Sequence, residues 1–155
     1  MIGEAAANYV NDLPKDRSTV TVIEAIDISE FNKSRHANGR LSMFARGQLT
    51  QKLVSMLNWE GHPFVEVEPA YTSQTCPVCG YTDKGNRDGK EFRCKCCGHE
   101  DDADHVGAVN ICERGQDSVI SEICESSTGV SRRKRIKAEL DRRHFEWIKQ
   151  QALQI

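Results

Sequence analysis

The spacing of apolar residues changes from segment to segment along this chain, and each change marks an element. In "GEAAANYVNDLP", Ala6, Tyr9, Val10 and Leu13 fall close to helical steps, which predicts a short helix ended by Pro14. The β-branched run Thr19 to Ile23 predicts a buried strand with Glu24 at its carboxyl end. "ISEFNKSRHANGR" is polar and carries Asn38-Gly39, so it predicts a loop. From Leu41 to Trp59, the residues Leu41, Phe44, Ala45, Leu49, Leu53, Met56 and Leu57 recur at three- and four-residue steps, the mark of an amphipathic helix. "GHP" turns the chain into a second strand, Phe64 to Val67, stopped by Pro69. Strand, helix, strand with so long a connector predicts a parallel pair in an α/β fold.

The periodic pattern breaks at residues 71–102 and resumes beyond them. Small or apolar residues at 103, 106, 107, 108 and 111 predict a further helix. "QDSVISEICESSTG" is ambiguous and contains a loop near Ser126-Ser127-Thr128-Gly129. "SRRKRIKAELDRRHFEWIKQQALQI" is strongly helix-forming, with Ser131 as its expected cap. Ile136, Leu140, Trp147 and Ile148 are the residues that would dock it. The expected segments are therefore 1–70, 71–102, 103–125 and 126–155.

Five of the seven cysteines lie in the interruption, "CPVCGYTDKGNRDGKEFRCKCCGHE". Cys76 and Cys79 form one Cys-x-x-Cys knuckle, and Cys94 and Cys97 form the second. Gly80 and Gly98 permit the tight backbone turn behind each pair. Four thiolates so arranged make the tetrahedral shell that Zn²⁺ accepts. Cys96 is surplus, since only 94 and 97 keep the two-residue spacing and the trailing glycine. His99 and His105 are further donors that a closed four-thiolate shell does not need. A closed shell has no position for water or substrate, so the zinc is expected to be structural. Cys112 and Cys124 stand alone and read as small buried residues.

Composition limits the setting. With 38% hydrophobic and 28% charged residues, the chain is neither a membrane protein nor a fully disordered one. No apolar run is long enough to span a bilayer, and "MIGEAAANYV" does not read as a signal peptide. A reducing cytoplasm is the expected location, where paired cysteines bind metal rather than each other. The net charge of −2 hides an asymmetry, because eight Lys/Arg and only three acids follow Ser131. A basic tail on an acidic body suggests a polyanion partner, with a solvated helix face as the plainer reading.

Two carboxylates flank the cysteine module. Glu24 ends the first predicted strand, where sites form in open parallel sheets. Asp104 opens the predicted helix after the module. Either fits a plainer role: a solvated strand-end Glu, or one of three helix-start acids (Asp101, Asp102, Asp104) favoured by the helix dipole.

"VIEAIDI", "VEPAYTSQTCPVCG", "FRCKCCG" and "DDADHVGAVNI", in that order, resemble the carboxyl-terminal half of the TnpB (OrfB) family, from about residue 3 to Ile111. Members are transposon-encoded, RNA-guided nucleases related to type V CRISPR effectors. The resemblance implies the carboxyl-terminal part of an RNase H-like (RuvC) domain with an inserted four-cysteine zinc ribbon. It implies that Glu24 and Asp104 match the second and third of three acids that hold catalytic Mg²⁺. It also implies guide RNA and target DNA as partners. Thr72, Ser73 and Gln74 become the expected nucleic-acid contacts of the ribbon, with knuckle capping as the alternative. Arg132, Arg133, Lys134 and Arg135 in the tail, beyond the resemblance, are the expected phosphate contacts.

The sequence departs from the family at two places. No upstream strand carries the family's first Asp, and Asp12 and Asp16 lie at the wrong end of the helix–strand connection. The residues matching the family's Asn-Ala-Ala are Val106, Gly107 and Ala108. A pair of parallel strands would also leave an edge and an apolar face open. The leading expectation is thus a nuclease part, inactive alone, completed by a larger chain or a second copy bearing the missing Asp. The alternative is a non-catalytic, nucleic-acid-binding subunit or nuclease-dead regulator. A plain zinc-ribbon adaptor explains the cysteines but not the flanking acids.

Overall fold

A computed structural model describes residues 2–25 and 37–153. The chain divides into two compact units, Met1–Glu66 and Val67–Ile155.

In the first unit, α1 (Ile2–Asp12) stops just before Pro14, as the sequence predicts. β1 covers Thr21–Glu24 and pairs with β2, Phe64–Val67. Val20 is half exposed, so β1 begins where alternation buries Thr21 and Ile23. Between them runs α2, Ala37–Glu60. It starts four residues before Leu41, through Asn38-Gly39, where a loop was expected. Turn propensity at those two residues, worth about 1 kcal/mol for Gly, yields to continued helix hydrogen bonding. The remaining loop, residues 28–36, lies outside the described residues. Val10, Ile23 and Leu57 form the core of this unit, with Leu13, Leu53, Val54, Met56 and Phe64 packed around them.

The second unit opens with the cysteine module, which has more structure than its sequence suggests. A 3-10 turn at Lys84–Asn86 leads into a three-stranded antiparallel sheet of β3 (Arg87–Asp88), β4 (Glu91–Arg93) and β5 (Glu100–Asp102). Phe92 pairs with Asp101 and Arg87 with Phe92 across it. β5 runs directly into α3, Ala103–Arg114. The 103–125 segment is not one helix: α3 ends and α4 follows at Ser118–Ser126. Asp117 caps α4 by accepting from Ile120 N at 3.1 Å.

The tail is α5, Gly129–Ala152. Its N-cap is Thr128, not Ser131, which lies in the first turn. Ile136 and Leu140 bury against Ile120 and Ile123 of α4, with Ala70, Tyr71 and Cys124 at the margin. Trp147 packs on the ribbon core, whereas Ile148 is exposed. Cys124 is half-buried beside this cluster, but Cys112 is exposed, contrary to expectation. It falls on the side of α3 opposite the buried Val106 and Asn110 stripe. Among the described residues, no helix is long and apolar enough to cross a membrane.

Candidate functional site

The two knuckles are built alike. In the first, Cys76 N donates to Tyr81 O at 2.9 Å and Gly80 N to Cys76 O at 2.9 Å. In the second, Cys94 N donates to His99 O at 2.8 Å and Gly98 N to Cys94 O at 3.0 Å. Gly80 (φ 72°) and Gly98 (φ 75°) take the left-handed conformation that closes each turn without a Cβ penalty. The loops point four sulfurs inward, and all lie within 4.8 Å of one another. Cys76 and Cys97 Sγ are 3.6 Å apart, as are Cys79 and Cys94 Sγ. A tetrahedron with zinc–sulfur bonds of about 2.3 Å has edges near 3.8 Å. The donor set therefore fits zinc with little adjustment.

The surroundings of the thiols differ. Burial raises Cys76 to about 11 and pushes Cys79 further up. Burial also opposes ionisation of Cys94, but the backbone N–H groups of Cys97 and Cys96 outweigh it and lower its pKa. A cation at the centre supplies the attraction that the buried pair lacks. Cys76, Cys79 and Cys94 join Phe92, Ala103 and Val106 in one buried cluster, with Tyr81 and Trp147 against it. The ribbon thus has a small core of its own, in which thiols serve as its apolar members.

Two asparagines that sequence reasoning passed over tie this core together. Asn86, 2% exposed, donates to Gln74 O (3.0 Å) and Tyr81 O (3.2 Å) and accepts from Lys95 N (3.0 Å). It joins the lead-in and first knuckle to the second. Asn110 on α3 donates to Thr72 O at 2.7 Å and Thr75 O at 2.8 Å. Buried Arg114 donates to Glu68 O and Ala70 O, both at 2.7 Å. The helix after the ribbon thereby clasps the segment before it. Only the position of Asn110 and Arg114 on the face of Val106, at four-residue steps, hinted at this.

The lead-in residues spend their polar atoms inward. Thr72 is buried, and its hydroxyl donates to Pro69 O at 2.9 Å. Gln74 O accepts from Asp83 N and Asn86 Nδ2, while Ser73 is half-buried.

Asp104 sits in the first turn of α3. Asp102 is the cap, accepting from Asp104 N (2.8 Å) and His105 N (3.1 Å). Of the three helix-start acids, Asp102 takes the backbone role, and the Asp104 side chain stays 71% exposed. Its Oδ1 accepts from Arg87 Nη2 of β3 at 3.0 Å. Asp101 faces the other way, with Oδ2 2.8 Å from His105 Nδ1. That contact lowers the Asp101 pKa, with help from Asp102 N–H. Glu24, half-buried at the end of β1, belongs to the first unit.

The basic run of the tail is partly committed. Arg132 pairs with Glu68 at 3.0 Å and donates to Ser127 O at 2.9 Å. Arg135 donates to Ser126 Oγ at 2.9 Å, and Lys134 is exposed. Further along, Arg143 bridges Asp117 (2.6 Å) and Glu139 (2.7 Å), and Arg142 holds Glu139 and Glu146.

Residues 47–111, which include all four zinc-type ligands and Asp104, match the family model described as the Cas12f1-like TNB domain. Over this stretch the chain is similar to the TnpB/Cas12f-like family. It is 40% identical over 75 residues to the CRISPR-associated endodeoxyribonuclease Cas12f1 of Sulfoacidibacillus thermotolerans, covering 48% of this chain and 18% of that protein. It is 35% identical over 112 residues to InsQ of Escherichia coli K12, covering 61% of this chain and 27% of InsQ. A Cas12f1 chain solved in a complex with sgRNA and target DNA superposes with a TM-score of 0.50 at 21% identity, over 71% of this chain and 32% of that one. The mixed helix and strand fold is thus Cas12f1-like. The chain spans only 18% and 27% of the length of these two curated relatives.

Proposed function

We propose that this chain is the carboxyl-terminal RuvC-like and zinc-ribbon part of a TnpB/Cas12f-like RNA-guided DNA endonuclease. The observation that carries the reading is the Cas12f1-like TNB match across a four-thiolate cluster whose last strand runs straight into Asp104. Zn²⁺ is structural in this reading. It sets the ribbon, the ribbon sets β5, and β5 fixes the start of α3.

Glu24 and Asp104 would hold Mg²⁺, whose preference for hard oxygen donors suits carboxylates as zinc suits the thiolates. When bound, the ion supplies charge neutralisation at the scissile phosphate and an activated water. Within this chain, Arg87 holds the Asp104 carboxylate at 3.0 Å and would have to release it for an ion to bind there. A third acid would come from outside residues 1–155, because no Asp among them stands on a strand before Glu24. Guide RNA and target DNA are the partners in this reading, which the Cas12f1 complex with sgRNA and target DNA supports.

The test is Mg²⁺-dependent cleavage of guide-matched DNA by the zinc-loaded chain, alone and with a partner carrying the rest of a family nuclease. Cleavage is expected only with the partner, and Asp104→Asn or Glu24→Gln should reduce it at least 100-fold, the scale of a lost catalytic group. Robust cleavage by the chain alone overturns the need for a partner. Full activity of Asp104→Asn in the complex overturns the catalytic assignment.

Two observations favour a non-catalytic subunit instead: Asp104 is already paired with Arg87, and Val106, not Asn, stands a half-turn further on. Under that reading the partner binds nucleic acid with this chain, and both acid substitutions leave every activity unchanged.

A further inference from the structure

Cys96 is the thiol that the four-sulfur centre leaves over, and the fold does not leave it isolated. One sulfur of the centre, Cys79, lies within 4.8 Å of both Cys96 Sγ and a ring nitrogen of His144. The three donors come from the first knuckle, the second knuckle and α5, so only the folded unit brings them together. His144 is held firmly. Its Nδ1 lies 2.7 Å from Cys79 O, and its ring stacks on Trp147 at 6.1 Å and tilts against Tyr81 at 5.1 Å. A carbonyl can only accept, so Nδ1 carries the proton and Nε2 keeps a lone pair. Metal-ligating histidines commonly donate one ring N–H to a backbone carbonyl in this way.

We propose that Cys79, Cys96 and His144 form a second binding site for a thiophilic dication such as Zn²⁺, with the Cys79 thiolate shared between the two ions. The donor set is two sulfurs and one imidazole, a combination that zinc accepts with water in its fourth position. Bonds of about 2.3 Å to sulfur and about 2.1 Å to nitrogen require donor separations near 3.5–3.8 Å. The exposed Cys96 side chain is free to close that difference, and its exposure gives the ion an entry path. Charge favours the second ion. Four thiolates around one dication leave a surplus of negative charge in a partly buried setting, and a second dication beside it offsets that surplus. Sharing a thiolate weakens each of its bonds, so the second ion binds less tightly than the first and exchanges first.

Native mass spectrometry of the full chain during Zn²⁺ titration tests this, in a Cys112→Ser, Cys124→Ser background that removes the remaining thiols. The expected result is one retained ion and a second that appears as zinc rises. Cys96→Ser, a change at an exposed position, should stop the titration at one ion, and so should His144→Phe, which keeps a flat ring between Tyr81 and Trp147. Co²⁺ should show an added set of thiolate charge-transfer bands that Cys96→Ser removes. A background chain that saturates at one ion overturns the second site and leaves the first standing. A Cys96→Ser chain that still takes two ions overturns it as well. A chain that holds no ion overturns both centres.

Discussion

At the scale of single residues, the thiols and the buried amides carry the unit, and their losses should differ in kind. Cys76→Ser removes one zinc ligand from a buried site. Structural zinc contributes about 10–16 kcal/mol in isolated finger peptides, as much as the whole net stability of a typical domain, about 5–15 kcal/mol. Zinc content should fall and the ribbon should unfold, seen as loss of the protected amides of Cys76, Gly80, Cys94 and Gly98 in hydrogen exchange. Asn110→Ala is milder. It orphans the carbonyls of Thr72 and Thr75, at about 1–3 kcal/mol each when they stay buried. Zinc should remain bound while the denaturation midpoint drops, which separates a clasp from a ligand. Glu139 offers a pH test. Hydrogen bonding from Arg142 holds its carboxyl down to about 2, against opposing burial and with further help from Arg143. The ordinary value is 4.5, so a depressed folded pKa stabilises the fold fully above about pH 4.5. That contribution fades as pH falls towards 2. The difference in melting temperature between the protein and Glu139→Gln should therefore be constant at neutral pH and shrink below pH 4.5, measured at each pH for both.

At the scale of elements, α5 docks by two of the four residues that its sequence offers for docking, with Ile136 buried completely and Leu140 nearly so against α4. Ile136→Ala should cost about 2–5 kcal/mol, the usual range for emptying such a site, and should raise amide exchange along α5 before the knuckles. In the ribbon, by contrast, pattern reading fails. Strands of two or three residues are too short for any period to show. Their existence rests on Phe92, the thiols and Val106 meeting across the sheet. β5 and α3 were legible only as acids before a helix. That Asp102 would cap and Asp104 would stay outside depends on how the backbone leaves β5, with Ala103 N bonded to Lys90 O at 2.7 Å.

At the scale of the whole molecule, the charge asymmetry bears on nucleic-acid binding. Arg132 is tied to Glu68, so it stabilises the docking of α5 more than it is offered to phosphate. Lys134 is exposed. Lys134→Gln should lower the slope of log affinity against log salt by about 1 if it meets a phosphate. Arg132→Gln should chiefly lower thermal stability. A salt slope unchanged in both would take the tail out of nucleic-acid binding. Among the expected ribbon contacts, Thr72 already gives its hydroxyl to Pro69, whereas Gln74 commits only its backbone carbonyl, so Ser73 and Gln74 are the members of that trio whose side chains would meet a phosphate.

The sequence by itself determined whatever depends on local spacing and side-chain chemistry. Two Cys-x-x-Cys pairs with trailing glycines specify a four-sulfur cluster that could hold a metal ion, because each knuckle is closed by its own backbone. The long helix at Leu41 to Trp59 follows from apolar residues at three- and four-residue steps, and the strand at Phe64 to Val67 from the turn before it and Pro69 after it. The family motif "PAYTSQTCPVCG" was readable because its residues are contiguous. What only the tertiary structure decided is what joins residues distant along the chain. Asn110 meets the Thr72 and Thr75 carbonyls, Arg143 meets Asp117, and His144 meets Cys79 and Cys96. The surplus thiol could not be interpreted until α5 brought an imidazole beside it. No local pattern encodes such meetings, because they are fixed by the packing of several elements at once, each of which would fold the same way locally with a different partner.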